Sequence, residues 1–257
     1  MLAGRDQLAW EFLNAFDKHV LYEDQDVLII NKPAGIASHY SEVNPVGIEE
    51  IAKHLRGWNT QRANRLDRDT TGVMVFSKTR PAFISLFDQF ANKAGSNMRK
   101  IYLAILEGEL DFKEPFKAEL PIAPTQTERM QIVTPEQSGR GFIPPGAKNS
   151  ITFFKPLVCL KDGEGRIRTL TEVQIVTGRT HQIRVVSADY LKHPIVGDYL
   201  YCGDAIRATR TMLHAFELTF QHPIKLNMRT IQAPIPEDFQ QSIKNMEWQY
   251  FYPNYKP

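Results

Sequence analysis

Residues 64–76 read NRLDRDTTGVMVF, a charged stretch that runs directly into four apolar residues. The apolar residues 73–76 predict a buried strand, because a short uninterrupted apolar run is typical of strands inside a sheet. The charged residues are therefore expected at the rim of a rigid sheet, where functional side chains are commonly presented. We take this stretch as the first candidate for a functional site.

The spacing of the charges within the stretch determines which side chains point the same way. Arg65 and Asp67 are two residues apart, so in an extended segment they project to one side. Leu66 and Arg68 then project to the other side. A guanidinium and a carboxylate are therefore expected to face the same space.

The same residues imitate the beginning of a calcium-binding loop, with oxygen-bearing side chains at Asp67, Asp69 and Thr71 before Gly72. Such a loop needs a bidentate Glu at its twelfth position, where this sequence has Lys78, and it continues into a helix instead of an apolar strand. Calcium binding is therefore not favoured. An ordinary solvated turn, in which the carboxylates pair with neighbouring arginines, remains open at this point.

Three segments together resemble the motif set of the RluA-type RNA pseudouridine synthases. They are NKPAG at residues 31–35, RLDRDTTG at residues 65–72 and GRTHQIR at residues 178–184, in matching order and spacing. The resemblance extends from about Tyr22 to Pro223 and implies an α+β fold, a single catalytic domain with a mixed, largely antiparallel sheet flanked by helices. We expect residues 1–21 to form an N-terminal helical extension and residues 22–257 to form the pseudouridine synthase catalytic domain.

The resemblance also implies a reaction and the residues that perform it. These enzymes isomerise uridine in RNA by breaking the bond between base and ribose, rotating the base and rejoining it through carbon 5. Asp67 takes the position of the catalytic aspartate, acting either as a nucleophile on the sugar or as the base that starts an elimination. Tyr102 takes the position of the tyrosine that lines the uridine pocket. Arg184 takes that of an arginine whose positive charge pairs with the aspartate and keeps it ionised.

Five further residues are expected to bind the substrate. A uridine in folded RNA must leave the base stack to reach a buried carboxylate, and Arg65 matches the arginine that fills the vacated space. Ile183 is expected to pack against the flipped base. The other candidates are Arg68, Thr71 and His181.

Three positions depart from the usual family pattern. Asn64 stands where a histidine normally precedes the motif, Thr71 replaces a serine, and Val186 stands where a histidine is expected after the third motif. Threonine keeps the hydroxyl, whereas asparagine cannot titrate and valine is apolar. The departures leave the catalytic residues in place and bear on RNA contacts and substrate choice.

Composition limits the compartment and the partners. The two cysteines lack metal or redox spacing, and no apolar run or leader pattern indicates a membrane span or a signal peptide, so we expect a reduced, cytoplasmic protein. No histidine pair has metal-ligand spacing, and the implied isomerisation needs no redox step, so neither a metal nor a nucleotide cofactor is expected. The partner is RNA, ribosomal or transfer, and no oligomer is indicated.

A net charge of only +2 means that a basic RNA-binding surface must come from local clusters. Each cluster is equally compatible with an ordinary solvated face. The candidates are Lys53, His54 and Arg56; Arg62, Arg65 and Arg68; Lys93, Arg99 and Lys100; and Arg207 with Arg210.

Two other functions compete with this prediction. A catalytically silent RNA-binding or chaperone relative of the same fold is disfavoured by the joint presence of Asp67, Tyr102 and Arg184, because binding alone does not need a carboxylate that faces phosphates. A sugar hydrolase using Asp67 and Asp69 would hold its carboxylates about 7 Å apart along one strand face. Both would then approach one face of the bond, unlike an acid and a base that flank it.

Hydrophobic periodicity and turn residues predict the remaining elements. Helices are expected at residues 6–19, 45–56, 81–92, 181–191 and 236–248, and strands at residues 26–30, 99–108, 116–120, 129–133, 150–160, 166–176 and 211–220. Thr180 is the expected N-cap of the fourth helix, which would place His181 and Arg184 on one helix face.

Three side-chain environments are also predicted. The aromatic stripe of the third helix, which includes Phe83, Phe87 and Phe90, is expected to lie in the core. His214 is expected to be a satisfied core residue, and Lys32 to belong to a structural turn.

Overall fold

The predicted strand after the charged stretch is present as Thr71–Ser77, and all seven of its residues are buried. The computed structural model describes residues 2–42, 46–91, 97–111, 114–134, 143–161, 164–202 and 208–242. The helices are α1 (Leu2–Asn14), α2 (Ile48–Arg56), α3 (Arg80–Phe90), α4 (Gln182–Val185) and α5 (Glu237–Gln241), with a 3₁₀ turn at Phe16–His19 and a π-helical turn at Val186–Tyr190. The strands are β1 (Val20–Glu23), β2 (Val27–Lys32), β3 (Gln61–Arg62), β4 (Thr71–Ser77), β5 (Arg99–Glu107), β6 (Phe116–Pro124), β7 (Met130–Ile132), β8 (Lys148–Lys161), β9 (Ile167–Ile175), β10 (Leu213–Gln221) and β11 (Met228–Gln232).

The first of two compact units comprises Met1–Lys100 and His214–Ile235. Its strands follow the order β1-β2-β4-β10, with β3 paired to β4 and β11 paired to β10. Strand β10 runs parallel to β4, whereas β1–β2, β2–β4, β3–β4 and β10–β11 are antiparallel. The core on one face of this sheet includes Val75, Leu86 of α3 and Phe220. Strand β4 has hydrogen-bonded neighbours on both edges, and its Val73 and Val75 side chains belong to this core.

The second unit comprises Ile101–Leu213 and Pro236–Pro257. Its strands follow the order β5-β9-β8-β6-β7. The predicted hairpin of β8 and β9 is antiparallel, with an irregular register between Pro156 and Val158. Strand β6 pairs antiparallel with both β8 and β7. Phe154 and Val173 are fully buried in this unit.

The predicted class, an α+β fold with a mixed and largely antiparallel sheet flanked by helices, is confirmed. Several element boundaries differ from the prediction. The first helix ends at Asn14, and the chain passes through the 3₁₀ turn into β1 by Val20. Strand β6 continues to Pro124, beyond the predicted end at residue 120. The division at residues 21 and 22 stays a prediction.

The fourth helix differs most from its prediction. Thr180 does not cap it, and the residue before the helix is His181, which has a left-handed backbone with φ of 53°. The expectation that His181 and Arg184 share a helix face is therefore wrong. The physical reason is Gln182, whose Oε1 accepts hydrogen bonds from the Arg179 backbone N–H and from the Thr177 hydroxyl, so a side chain inside the helix satisfies this turn.

The aromatic stripe of α3 is only partly in the core. Leu86 is fully buried, but Phe87 is 54% exposed and stacks on the half-buried Phe83 at a ring distance of 6.0 Å. The predicted ends of three helices, at Pro45, Asn92 and Trp248, lie outside the described residues. His214 is fully buried and is hydrogen bonded, as predicted.

Asp24, in the turn between β1 and β2, receives several hydrogen bonds. Its Oδ1 accepts the backbone N–H groups of Asp26 and Val27, both at 2.9 Å. Its Oδ2 lies 2.7 Å from the Tyr22 hydroxyl and 2.7 Å from Lys225 Nζ. Burial alone would raise the pKa of Asp24, but these hydrogen bonds outweigh burial and lower it well below its ordinary value.

His222 joins this carboxylate to the turn between β10 and β11. Its Nδ1 accepts the backbone N–H of Lys225 at 3.0 Å, so Nε2 carries the proton and donates it to Asp24 at 2.8 Å. The imidazole is fully buried. Asp24 therefore links the β1–β2 turn to the β10–β11 turn, which is distant in sequence, through hydrogen bonds.

We expect Asp24→Asn to lower the free energy of unfolding at pH 7 by about 2 kcal/mol, because the amide loses the charge that strengthens these bonds. The folded pKa of Asp24 lies below the unfolded value, so this stabilisation is complete above about pH 5 and is lost as the pH falls below about 4. Urea unfolding of both proteins at several pH values checks this.

The exposed pair of Lys117 and Glu119 offers a control for the same chemical change. Glu119→Gln is expected to leave stability unchanged at every pH, since exposed ion pairs contribute little. A difference between wild type and Asp24→Asn that stays constant from pH 7 to pH 3 would contradict the assignment.

Candidate active site

The residues that the sequence assigns to the site are divided between the two units. One group lies in the loop before β4 and at its first residue, in the first unit. The other group lies on β5 and around α4, in the second unit. The first group is Arg65, Asp67, Arg68 and Thr71, and the second is Tyr102, His181, Ile183 and Arg184.

The loop that carries Asp67 begins where β3 ends. The Ala63 backbone N–H donates to the Val75 carbonyl at 2.8 Å, and the Asn64 Oδ1 accepts the Val75 N–H at 2.8 Å. The Asn64 side chain therefore continues the pairing along β4 after the backbone has turned away. A neutral amide at this position has a structural role, which the sequence did not reveal.

Leu66 anchors the next step of the loop. Its side chain is buried, and both of its backbone polar groups contact Ser38: the Ser38 hydroxyl donates to the Leu66 carbonyl at 2.6 Å and accepts the Leu66 N–H at 3.0 Å. Ser38 is itself buried. This contact fixes the backbone immediately before Asp67.

Lys32 fixes the backbone on the other side of Asp67. Its side chain is 1% exposed, and its Nζ donates to the carbonyls of Pro33 at 2.7 Å, Arg68 at 2.8 Å and Thr70 at 3.0 Å. The Gly35 N–H also donates to the Arg68 carbonyl at 3.0 Å. The prediction of a structural role for Lys32 is confirmed. The NKPAG segment holds the loop through the loop's own backbone.

The side chains of this loop have different exposures. Arg65 is exposed, Leu66 is buried and Asp67 is half-buried, which agrees with the prediction that Leu66 points away from Arg65 and Asp67 but not with the placement of Arg68 on the Leu66 side. Arg68 lies in a turn and is also half-buried, with its Nε 3.4 Å from Asp69 Oδ1. Hydrogen bonds hold the backbone on both sides of Asp67. The Asp67 side chain itself is only half-buried.

Thr71 and Gly72 lie where β4 meets β10. The Thr71 hydroxyl lies 2.8 Å from His214 Nδ1 in the core, so this hydroxyl has a structural partner. Gly72 has φ of 110°, and a Cβ at this position would lie 2.2 Å from the Ala215 carbonyl oxygen. Only glycine allows this close approach of the two strands. The substrate-binding role of Thr71 stays a prediction.

His39 is a nearby residue that the sequence analysis missed. Burial lowers its pKa, and the positive charges of Arg62 and Arg65 lower it further, against an opposing effect of Glu49 and Glu50. The imidazole is therefore neutral at pH 7. His39 lies in the long connection between β2 and α2. No local sequence pattern predicts that it comes close to Arg62 and Arg65.

In the second unit, Arg184 is bound by a residue that the sequence analysis also missed. Arg184 is 5% exposed and Asp198 is fully buried. Arg184 Nε donates to Asp198 Oδ2 at 2.7 Å, and Nη2 donates to Oδ1 at 2.8 Å. A buried arginine requires a carboxylate partner, but sequence spacing does not show which one.

Tyr201 packs beside this ion pair. The Arg184 guanidinium carbon lies 5.3 Å from the Tyr201 ring centroid, and that of Arg129 lies 4.7 Å from it. The Tyr201 hydroxyl accepts the Met130 N–H at 2.8 Å and lies 3.2 Å from His181 Nδ1. Burial raises the pKa of Tyr201 to about 12, so the hydroxyl stays protonated at neutral pH.

Ile183 and Tyr102 are the remaining predicted residues of this unit. Ile183 is buried, 4% exposed, and Tyr102 is half-buried on β5.

Within the described ranges, no group of three or more His, Cys, Asp or Glu residues is arranged to hold a metal ion. No helix in the described part of the chain is long and apolar enough to cross a membrane.

The sequence matches the family model of the RNA pseudouridylate synthases over residues 26–189. It is 36% identical over 238 residues to the uncharacterized RNA pseudouridine synthase YhcT of Bacillus subtilis, covering 90% of this chain and 72% of that protein. It is 36% identical over 239 residues to the ribosomal large subunit pseudouridine synthase D of Xylella fastidiosa, covering 85% of this chain and 66% of that protein. It is 32% identical to the tRNA pseudouridine synthase C of Vibrio cholerae, covering 90% of this chain and 96% of that protein.

The fold is also similar to solved structures of pseudouridylate synthase domain proteins. Human RNA pseudouridylate synthase domain containing 4 superposes with a TM-score of 0.68, covering 94% of this chain and 96% of the other at 22% identity. Human RNA pseudouridylate synthase domain containing 1 gives a TM-score of 0.67 at 25% identity, covering 84% of this chain and 82% of the other. The predicted pseudouridine synthase fold is therefore confirmed.

Sequence motifs, fold and relatives together define an RNA-modifying isomerase. The chain belongs to the RluA-type family of RNA pseudouridine synthases.

Proposed function

We propose that this protein converts specific uridines of ribosomal or transfer RNA to pseudouridine, with Asp67 as the reacting group. The observation that carries the proposal is the backbone support of the Asp67 loop. Ser38 fixes Leu66 before Asp67, and Lys32 fixes Arg68 after it. A half-buried carboxylate on such a support is preorganised, as an attacking or proton-removing group must be.

We propose Tyr102 and Arg184 as the other catalytic residues, as the family resemblance implies. A half-buried tyrosine ring offers a flat face on which the target base can stack. Arg184 is a buried, always charged group, and the resemblance implies that its charge keeps the catalytic carboxylate ionised. Ile183 and His181 are proposed to contact the flipped nucleotide, together with Arg68 and Thr71.

Isomerisation leaves the oxidation state and the phosphates of the RNA unchanged, so Asp67, Tyr102 and Arg184 are proposed to act without a metal or a nucleotide cofactor. We propose that the protein works in the cytoplasm. Cys159 and Cys202 are both free thiols, in keeping with a reducing compartment.

Ribosomal and transfer RNA are both retained as substrate classes. The ribosomal and transfer RNA enzymes named above are similarly related to this chain, at 36% and 32% identity. The basic residues of the first unit that remain exposed, Arg65 among them, do not distinguish one folded RNA from another.

Pseudouridine mapping tests the function. Total RNA from cells with and without the gene is labelled chemically at pseudouridine, and the purified protein is then incubated with the unmodified candidate RNAs. Loss of one or more sites in the deletion strain, restored in vitro by the protein, is expected. If no site disappears and the protein modifies no RNA, the proposal fails, and the catalytically silent RNA-binding relative takes its place.

Arg65→Ala is expected to reduce the single-turnover rate on folded RNA by about 10-fold to 100-fold and to have a much smaller effect on an unstructured fragment. Arg65 is exposed on the Asp67 loop, where its planar guanidinium can stack in the space that the flipped base leaves. Extrusion from a helix costs a few kcal/mol, and an unstructured fragment does not have to meet this cost.

The comparison needs a variant that removes an exposed arginine elsewhere in the same unit. Arg80, the first residue of α3, provides it, and Arg80→Ala should leave both rates unchanged. Equal losses on folded and unstructured RNA in Arg65→Ala would argue against a role in base flipping.

A further inference from the structure

We propose that Asp198 is a positioning residue for pseudouridine formation, which fixes the orientation of the Arg184 guanidinium. The inference rests on the proposed catalytic role of Arg184. It adds a residue that lies outside all three sequence motifs and that reaches the reaction only through Arg184.

The contact between the two side chains is a bidentate, charge-assisted ion pair with a defined geometry. Two parallel N–H···O bonds of 2.7 Å and 2.8 Å join one edge of the guanidinium to both carboxylate oxygens. The pair uses two of the five N–H donors of arginine, so Arg184 can serve a second acceptor without releasing Asp198. Rotation about the last side-chain bonds of Arg184 is prevented while both bonds persist.

Asp198 is itself held by the turn in which it lies. Its Oδ1 accepts the Leu200 N–H at 3.1 Å, and its carbonyl accepts the N–H groups of Tyr201 at 3.1 Å and Cys202 at 2.8 Å. The carboxylate thus has a fixed position relative to the backbone.

Gly197 lets the turn pack closely against the backbone at Arg210. Gly197 has φ of 75°, and a Cβ there would lie 2.0 Å from the Arg210 carbonyl oxygen. The Val196 carbonyl accepts the Met212 N–H at 2.8 Å. The residue before Asp198 is therefore pressed against neighbouring backbone, and the turn cannot shift without separating these segments.

Tyr201 restricts the guanidinium from a second direction. Its ring centroid is 5.3 Å from the Arg184 guanidinium carbon, and its hydroxyl is tied to the Met130 N–H. Tyr201 also belongs to the Asp198 turn, so one short segment supplies both the carboxylate and the aromatic ring. The two contacts together define the orientation of Arg184.

The charge of the pair supports the same conclusion. Arg184 is always protonated and is buried, so removal of its carboxylate partner leaves a buried charge with weaker pairing. In the same unit, Asp189 Oδ1 already lies 3.3 Å from Arg129 Nη2. Without Asp198 the guanidinium would therefore relax towards any acceptor or solvent within reach.

The decisive variant is Asp198→Asn, which keeps the shape of the side chain and weakens the bidentate pair. We expect the single-turnover rate at saturating protein to fall by about 100-fold, as a displacement of about 1 Å in a catalytic group can do. The dissociation constant for unmodified RNA should change by less than about 3-fold, because the pair is buried within its unit. A normal rate in the folded variant would overturn the proposal.

Arg210 and Asp238 form a second bidentate pair in the same unit, which serves as a control. Arg210 Nε and Nη2 bind the two Asp238 oxygens at 2.6 Å and 2.9 Å, and the Arg210 side chain is 6% exposed. Asp238→Asn removes a bidentate partner whose own side chain is 41% exposed, whereas that of Asp198 is fully buried, so the control tests the loss of such a pair at the edge of the unit. It should lower stability without changing the single-turnover rate, and an equal rate loss in both variants would show a general structural effect and overturn the proposal.

A double-mutant cycle with Arg184→Lys separates positioning from an independent role. Lysine keeps the charge but cannot form the bidentate pair. If Asp198 acts through Arg184, the double variant should be no slower than the slower single variant. Losses that multiply would show that Asp198 acts by another route and would overturn the proposal.

The cycle also distinguishes this inference from the proposed function. If Arg184→Lys and Arg184→Ala both keep the wild-type rate, the role of Arg184 is wrong and the inference falls with it. If the Arg184 variants are slow and Asp198→Asn is normal, only the inference falls. Urea unfolding identifies a variant that does not fold, and Asp198→Glu, which keeps the charge, then replaces Asp198→Asn with an expected loss of about 10-fold.

Discussion

Asp67→Asn is expected to lower the rate of pseudouridine formation by at least about 1,000-fold, the scale of loss seen when a reacting group is removed. An amide can neither attack the ribose nor remove a proton, so both routes open to the aspartate are blocked. The loop should keep its conformation, because Ser38 and Lys32 hold it through the carbonyls of Leu66 and Arg68. Single-turnover assays on the mapped RNA, together with urea unfolding, separate loss of chemistry from loss of structure.

Asp69→Asn is the matched control for this variant. Asp69 lies two residues further along, is also half-buried and contacts Arg68 at 3.4 Å. A one-carboxylate mechanism predicts that Asp69→Asn keeps most of the activity, whereas a two-carboxylate hydrolase would lose activity in both variants. Pseudouridine formation by a folded Asp67→Asn protein would remove Asp67 from the mechanism.

The sequence was most informative where the signal was local. The apolar run 73–76 predicted the strand that extends over Thr71–Ser77 in the structure, and the residue spacing predicted that Leu66 faces away from Arg65 and Asp67. The prediction that His214 is a satisfied core residue was also correct, because a histidine in an apolar row of a strand needs an internal partner. Its partner, Thr71, is separated from it by 143 residues and could not be identified by pattern.

Contacts across long sequence distances explain what the sequence did not predict. Asp198 and Asn64 are ordinary polar residues in the sequence, and their roles arise only because Arg184 and β4 lie beside them in the fold. The incorrect N-cap at Thr180 has the same cause. Local propensity favours a threonine cap, but Gln182 satisfies the turn from inside the helix.

For the predicted basic clusters too, the sequence does not show which residues are paired with carboxylates or buried. Arg56 pairs with Asp17 and with Glu23, and Arg62 Nε lies 2.8 Å from Glu49. Arg210 is buried against Asp238, and Lys100 is buried as well. Lys93 and Arg207 lie outside the described residues.

These pairings change which residues are candidates for RNA contact. An arginine whose donors are already bound to a carboxylate offers less charge to a phosphate. Of the Arg62, Arg65 and Arg68 cluster, Arg65 is the exposed member. Exposure, which the sequence does not show, therefore selects among residues that charge alone cannot distinguish.

Lys32→Met is expected to lower the free energy of unfolding by about 3 kcal/mol and the single-turnover rate by about 100-fold or more. Methionine has a similar length but no donors, so the Pro33, Arg68 and Thr70 carbonyls lose a charged hydrogen-bond partner inside the protein. Two of these carbonyls belong to the loop that carries Asp67. The rate should therefore fall even under conditions in which the variant is fully folded.

Lys78→Met separates the two effects, because Lys78 Nζ also donates to a carbonyl, that of Asp24 at 2.8 Å, and to Glu23 at 2.8 Å, but it does not touch the Asp67 loop through these bonds. It should lose stability and keep the rate of the folded protein. A folded Lys32→Met protein with the wild-type rate would show that the loop holds its conformation without Lys32. In that case the contacts of Ser38 and Gly35 would be sufficient to position Asp67, and the support from β2 would serve stability alone.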